Sequence, residues 1–293
     1  MIKVSSEIPL DFANTIDEIL YEIAPSNWVY TKKKPKEVGC LEGYFYTHQE
    51  VTSSIKILRE ISPEKFTLEF TFSEIRNEDW KNSYKKHFDA WEFRGFHVVP
   101  IWQKKTHEIP DDHKALYLDP SMAFGTGNHE TTRMCVESLV SLKQSHKDEI
   151  TSLLDVGCGS GILTLVGGRL LFKENLGIDN DSNSIKVAYD NLLLNDLSTH
   201  ILFENKSVEQ INLSRSFDVV ISNIQSDVLC TNASTLINCM SGKGHLILSG
   251  ILNTEKNEVS SVFEKEANRV GFRFSTTYTS LSEWTTIKIS KQP

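Results

Sequence analysis

The sequence has no uninterrupted apolar run near the roughly 18 residues that a membrane-crossing helix needs, so no membrane partner is expected. It also lacks a basic opening followed by an apolar stretch, and a secretory signal is therefore not expected. Its five cysteines (Cys40, Cys135, Cys158, Cys230, Cys239) are odd in number and contain no Cys-x-x-Cys pair. That pattern argues against a disulfide framework or a zinc ribbon and for a reducing, cytoplasmic setting. A surplus of basic charge is missing too, with 31 Lys and Arg against 39 Asp and Glu for a net charge of −8. Sequence-independent nucleic-acid binding needs a basic surface, so no direct nucleic-acid partner is expected. An acidic total favours a basic partner. Repeats and low-complexity tracts are absent.

Charged residues make up 24% of the chain and apolar residues 39%, which suits a globular protein with a sizeable core. At 293 residues there is room for two domains. Residues 1–75 read as a small α+β unit. Phe12, Ile16, Ile19, Leu20 and Ile23 fall at helical spacing between Pro9 and Pro25, and Val51, Ile55 and Leu58 mark a second helix ending near Pro63. Strand-like runs lie at 2–4, 28–30, 41–47 and 66–72. Residues 76–95 read as a linker region carrying a polar, aromatic-rich helix from Asn77 to about Phe88. The stretch 103–114, with Pro110 and two aspartates, reads as a loop.

Within 96–293 the texture changes from Ser152 onward. Strand-like runs at 153–156, 176–178, 201–203, 217–222 and 245–249 alternate with helical segments reaching Leu171, Leu194 and Met240. Such alternation predicts an α/β domain of Rossmann-like type, a mostly parallel sheet covered by helices. The runs 272–278 and 284–289 are joined by five residues, too few for a crossover helix, so as paired strands they must be antiparallel.

The strongest motif is Asp155-Val156-Gly157-Cys158-Gly159-Ser160-Gly161, directly after Leu153-Leu154. Glycines at alternate positions let the chain turn sharply from strand to helix and bring backbone close to a ligand. A nicotinamide fingerprint would need glycine at position 162, where Ile162 stands. An acid two residues ahead of the first glycine can pair, directly or through water, with the ammonium of S-adenosylmethionine. Asp179 ends the next strand-like run, 22 positions after Gly157, near the offset at which an acid reaches a ribose diol. Asp181 and Ser182 can cap the following helix. Asn223 ends the fourth run, at the rim where open α/β sheets bind ligands, and it could equally serve as a helix cap. Without a ligand, the glycines would be a plain turn and Asp179 a surface charge.

A second loop reads Phe124-Gly125-Thr126-Gly127-Asn128-His129-Glu130-Thr131-Thr132 ahead of an apolar helix. It can close over a ligand, or it is simply a loop and cap. A zinc protease motif fails because Arg133 stands where a second histidine is required, and no metal site is expected. No Gly-x-Ser-x-Gly elbow exists, and Cys158 reads as a small residue in a tight turn.

With these pieces together, the chain resembles the bacterial methyltransferases of large-subunit ribosomal protein 11, the PrmA family. The carriers are Ala123-Phe124-Gly125-Thr126-Gly127-Asn128-His129-Glu130-Thr131-Thr132, the 154–163 glycine segment, Gly177-Ile178-Asp179, Asn223-Ile224 and Leu248-Ser249-Gly250-Ile251-Leu252. The aromatic-rich stretch from Trp80 to Trp102 is also similar to the family's connecting region. The resemblance is good over 77–293, whereas the first 75 residues match in size and character only. It implies a class I methyltransferase domain, a substrate-recognition domain before it, and methyl transfer from S-adenosyl-L-methionine to lysine and terminal amines of a basic ribosomal protein. A monomer is expected. Carried over residue by residue, the cofactor contacts would be Thr132, Gly157, Asp179 and Asn223, and the motif readings add Asp155, Gly159 and Gly161 from the glycine turn and Phe124 and Thr126 from the loop. Asn223 would also orient the acceptor amine. Two departures stand out: Glu130 where the family commonly has proline, and Gln225-Ser226-Asp227 where it has small apolar residues.

Three rival readings remain at this level. A nucleic-acid amino-methyltransferase would follow Asn223 with Pro-Pro and an aromatic, where Ile224-Gln225 stand. A related branch methylates lysines of other proteins. A non-catalytic module would keep the fold and lose transfer.

Overall fold

The structure, a computed structural model, describes residues 2–9, 12, 15, 16, 19, 20, 27–31, 39–45, 47–61, 68–74, 88–119, 129–197 and 200–292. The chain divides into two compact units, 1–87 and 88–293.

Among its described residues, the first unit holds a four-stranded antiparallel sheet with a helix against it. Its strands are β1 (Ile2–Ile8), β2 (Trp28–Thr31), β3 (Gly39–Phe45) and β4 (Thr71–Glu74), in the order β2-β3-β1-β4. Period-two alternation sends Ile2, Val4 and Ile8 of β1 inward. They meet Val51, Ile55 and Leu58 of helix α1 (His48–Ile61), which share one helical face. A capping box starts that helix: the Glu50 N–H donates to Thr47 Oγ1 and the Thr47 N–H to Glu50 Oε2, both at 3.2 Å. The helix expected from Asn77 lies, up to residue 87, outside the described residues.

In the second unit, β5 (Trp91–Phe93) and β6 (Phe96–Pro100) form a hairpin, and β7 (Lys114–Leu118) joins β6 in parallel. Arg94 and Gly95, both with positive φ, make its two-residue turn. Strand β5 thus falls inside the stretch read as a linker, because Trp91 and Phe93 pack on the apolar core rather than on solvent.

Then follow α2 (Glu130–His146), β8 (Ser152–Val156), α3 (Ile162–Arg169), β9 (Glu174–Asp179), α4 (Ser182–Leu193), β10 (Ile201–Asn205) and β11 (Phe217–Asn223). After them come α5 (Ser226–Thr231), α6 (Ala233–Asn238), β12 (Met240–Leu252), α7 (Lys256–Val270), β13 (Phe274–Leu281) and β14 (Trp284–Lys291). The seven-stranded sheet has the order β10-β9-β8-β11-β12-β14-β13. Only β14 runs against the rest, pairing antiparallel with both β12 and β13. The predicted closing hairpin is therefore present.

Strand alternation builds two cores. Leu153, Val219, Ile221 and Ile247 face α2 and α3, while Leu154, Val156, Val220, Leu246 and Leu248 face α6 and α7. Burial on both faces is why these strands read as continuous apolar runs. Helix α7 is not evident from the sequence, and the helix expected up to Met240 is two pieces meeting at Asn232. From β8 the chain first builds β9 and β10 on one side, then returns to β11 on the other. The reversal opens a crevice at the carboxyl ends of β8 and β11, where such sheets bind ligands.

No described helix is long and apolar enough to cross a membrane.

Candidate functional site

The glycine turn follows β8 at that crevice. Gly157, Gly159 and Gly161 have φ of +74°, +51° and +78°, a region side chains disfavour. The turn is pinned to β9: the N–H groups of Gly157 and Cys158 both donate to the Ile178 carbonyl, at 2.9 and 3.0 Å. At Gly161, which caps α3, a Cβ would lie 2.8 Å from both Ala188 Cβ and the Phe203 ring. A Cβ on Gly157 would collide with Ile224 Cγ2. Both positions are thus closed to a side chain by the protein's own packing.

Asp179, at the end of β9, accepts the Gly159 N–H on Oδ2 and the Asp181 N–H on Oδ1, each at 2.9 Å. Asp181 caps α4 through bonds from Asn183 and Ser184, and these hold its carboxyl below the usual range. Asp155 is buried at the end of β8. Its Oδ2 accepts the Thr164 N–H at 3.0 Å and the Thr164 hydroxyl at 2.7 Å. Burial pushes its pKa up to about 7, with the Thr164 bonds opposing and the Asp179 charge adding to the rise. Burial, reinforced by both carboxylates, likewise pushes the Cys158 thiol far up, so it is no nucleophile at neutral pH.

Asn223 ends β11. It does not cap α5, whose N-cap is Gln225. Instead its Nδ2 donates to Thr131 Oγ1 at 3.3 Å and Thr132 Oγ1 at 3.4 Å, both at the start of α2. The Asn223 Oδ1 is buried and accepts no hydrogen bond among the described residues. The threonines are themselves buried, and the Ser249 hydroxyl donates to the Thr131 carbonyl at 3.3 Å and sits 2.9 Å from Thr286 Oγ1. His129 caps α2: its Nδ1 accepts the Thr131 N–H at 3.3 Å and lies 2.8 Å from Thr131 Oγ1. Its ring meets Trp284 edge-on at 5.2 Å. Burial lowers its pKa, with Glu130 and Glu283 opposing.

The fold therefore gathers Asp155, Gly157, Gly159, Gly161, Asp179, Asn223 and Thr132 at the ends of neighbouring strands and the adjoining helix start. Phe124 and Thr126 lie outside the described residues. Sequence reasoning placed His129 in the polar loop and the family motif and weighed it as a metal ligand, but gave no site role to it or to Ser249, Thr286 and Trp284. The signal for Ser249 was its place as a polar residue in an otherwise apolar strand. No cluster of metal-ligating side chains occurs among the described residues.

A mostly parallel seven-stranded sheet with one reversed strand near its edge, a glycine turn after the central strand and an acid after the next is the class I methyltransferase fold. The chain matches the model of the family Ribosomal protein L11 methyltransferase (PrmA) over residues 13–292. A ribosomal protein L11 methyltransferase of Pelobacter propionicus is 31% identical over 282 residues, spanning 89% of this chain and 90% of that one. One from Agathobacter rectalis is 28% identical over 288 residues, covering 92% and 85%. The crystal structure of a ribosomal protein L11 methylase from Lactobacillus delbrueckii subsp. bulgaricus has the same fold, with a TM-score of 0.60, 24% identity, and coverage of 70% of this chain and 100% of that one. The chain belongs to the ribosomal protein L11 methyltransferase family.

Proposed function

We propose that this chain transfers methyl groups from S-adenosylmethionine to amines, lysine side chains and the terminal amine, of large-subunit ribosomal protein 11. The observation that carries the reading is the orphaned Asn223 Oδ1, a buried acceptor beside a glycine turn, in a chain of this family. A buried polar atom without a partner costs stability and marks a place where a ligand donor fits. The residues suit the cofactor. Asp179 is bonded once on each carboxylate oxygen and keeps further lone pairs for a ribose diol. The raised pKa of Asp155 marks a carboxyl that a nearby ammonium would stabilise as carboxylate. Bound there, S-adenosylmethionine supplies an electrophilic methyl group.

The remaining work falls to the protein and is largely positioning. A free lysine with a pKa of about 10.4 is neutral only about once in a thousand molecules near pH 7.4, a cost of roughly 4 kcal/mol. Desolvation in the pocket reduces that cost. Asn223 is no base, since an amide does not titrate in this range. Its Oδ1 accepts an N–H of the acceptor amine and aims the nitrogen lone pair, while the proton leaves to water. The net charge of −8 attracts a basic substrate. The first unit, with a core of its own, acts as the substrate-recognition domain.

The test is incubation with isotopically labelled S-adenosylmethionine and purified ribosomal proteins, followed by mass mapping. Label on lysine or terminal amines of protein 11 supports the reading. Label only on another protein directs it to a different lysine substrate, and label on RNA overturns it.

A further inference from the structure

We infer that His129 is a positioning residue that fixes, through the Thr131 hydroxyl, which end of the Asn223 amide faces the acceptor amine. The inference rests on the proposed role of Asn223 and extends it to two residues with no part in that reading. It follows from the polarity of the hydrogen bonds. The Thr131 backbone N–H can only donate, so the His129 Nδ1 that accepts it at 3.3 Å carries no proton. The ring is then the Nε2–H tautomer. With Nδ1 an acceptor, the 2.8 Å contact between it and Thr131 Oγ1 must have the threonine hydroxyl as donor.

That hydroxyl has one hydrogen, and it is now committed. Toward Asn223, 3.3 Å away, Thr131 Oγ1 can only accept. The Asn223 amide therefore presents its NH2 to the threonines and turns its buried, unpartnered Oδ1 away from them, free for a ligand donor. The reverse orientation would set two acceptors against each other. Thr132 Oγ1, at 3.4 Å from Nδ2, gives the amide nitrogen a second acceptor. The rest of the surroundings keep the relay in place: Ser249 holds the Thr131 carbonyl, and Trp284 packs against the His129 ring.

Protonation of His129 breaks the chain, because a charged ring would turn an N–H toward the Thr131 N–H. Among the described residues, the charged groups facing His129 are Glu130 on its own helix and Glu283 from the β13–β14 turn, both favouring the charged ring, while burial opposes it more strongly. The wild-type ring is thus neutral at pH 7. Turnover should show an acid limb below pH 6.5, added to the ordinary slope from lysine ionisation.

The test has two parts. Long-range 1H–15N NMR of the 15N-histidine-labelled, ligand-free protein, with the His129 signal identified by its loss in His129→Asn, reports the tautomer directly. The expected result is the Nε2–H form at pH 7. An Nδ1–H or charged ring would overturn the inference. In parallel, kcat and cofactor dissociation constants are compared for His129→Phe, Thr131→Val and His129→Asn. An asparagine Oδ1 occupies nearly the place of a histidine Nδ1 and accepts without titrating. His129→Phe and Thr131→Val should each lower kcat about tenfold or more while leaving cofactor affinity within about threefold. His129→Asn should restore neutral-pH turnover and lose the added acid limb. Wild-type turnover in Thr131→Val, or an unchanged acid limb in His129→Asn, would overturn the inference. Absence of transfer by the wild-type enzyme would instead count against the proposed function, and the NMR result would still decide the tautomer.

Discussion

Asp179 and Gly159 are joined by a 2.9 Å hydrogen bond from the glycine N–H to the carboxylate Oδ2, which ties the end of one strand to the turn that leaves its neighbour. The carboxylate shapes the glycine turn and, in the proposed function, accepts the ribose diol of the cofactor. Charge-assisted hydrogen bonds are worth about 1.5–3 kcal/mol. Asp179→Ala should therefore weaken S-adenosylmethionine binding by roughly 10- to 150-fold, at about 1.4 kcal/mol per decade. Calorimetry measures this, and an unchanged dissociation constant would refute the assignment.

Asn223→Ala removes the orphaned acceptor and both contacts to the threonines of α2. Methylation turnover should fall by at least roughly tenfold, as for the loss of one buried hydrogen bond in the reacting complex. Steady-state kinetics on a peptide or protein acceptor check it; near-normal rates would remove the orienting role.

Asp155 makes stability depend on pH in a direction opposite to most carboxylates. Its folded pKa of about 7 stands above the ordinary value of 3.8, so between these values the folded chain keeps a proton that the unfolded chain has lost. Stability from this group therefore falls as pH rises from about 4 to about 7, then levels off. Asp155→Asn removes the effect. Its Tm relative to wild type should climb by a few degrees or more between pH 4.5 and 8, on the order expected for a chain this size. A constant difference across that range, followed by calorimetry, would contradict the buried-carboxyl account.

Gly161 tests packing rather than binding. Gly161→Ala places a methyl 2.8 Å from Ala188 and Phe203 in a left-handed conformation. Overpacking of this kind costs roughly 1–3 kcal/mol. Thermal unfolding should show a lower Tm, and an unchanged Tm would mean that α3 and α4 shift apart easily.

Much of the second unit was legible because its strands are buried on both faces and so read as apolar runs between helices. Leu153-Leu154 and Val219-Val220-Ile221 are of this kind. Asp155, Gly157, Asp179 and Asn223 were legible because each sits at the end of such a run or just beyond it, at the rim. Strand β7 and helix α7 were not. Lys114–Leu118 is short and half-exposed, and α7 spends its apolar residues on one narrow face, Val259, Phe263 and Ala267. The partnership of His129, Thr131 and Asn223 was illegible for another reason. It depends on residues more than 90 positions apart brought together by the sheet, and on which nitrogen of a histidine holds a proton.

The central claim is that the crevice at the carboxyl ends of β8 and β11, beside Asp179 at the end of β9, is the cofactor site. A crystal structure with S-adenosylhomocysteine tests it most directly. The ribose hydroxyls should lie within hydrogen-bond distance of Asp179, with the amino-acid end over the glycine turn toward Asn223. A ligand bound elsewhere, with the glycine turn bare, would contradict the account.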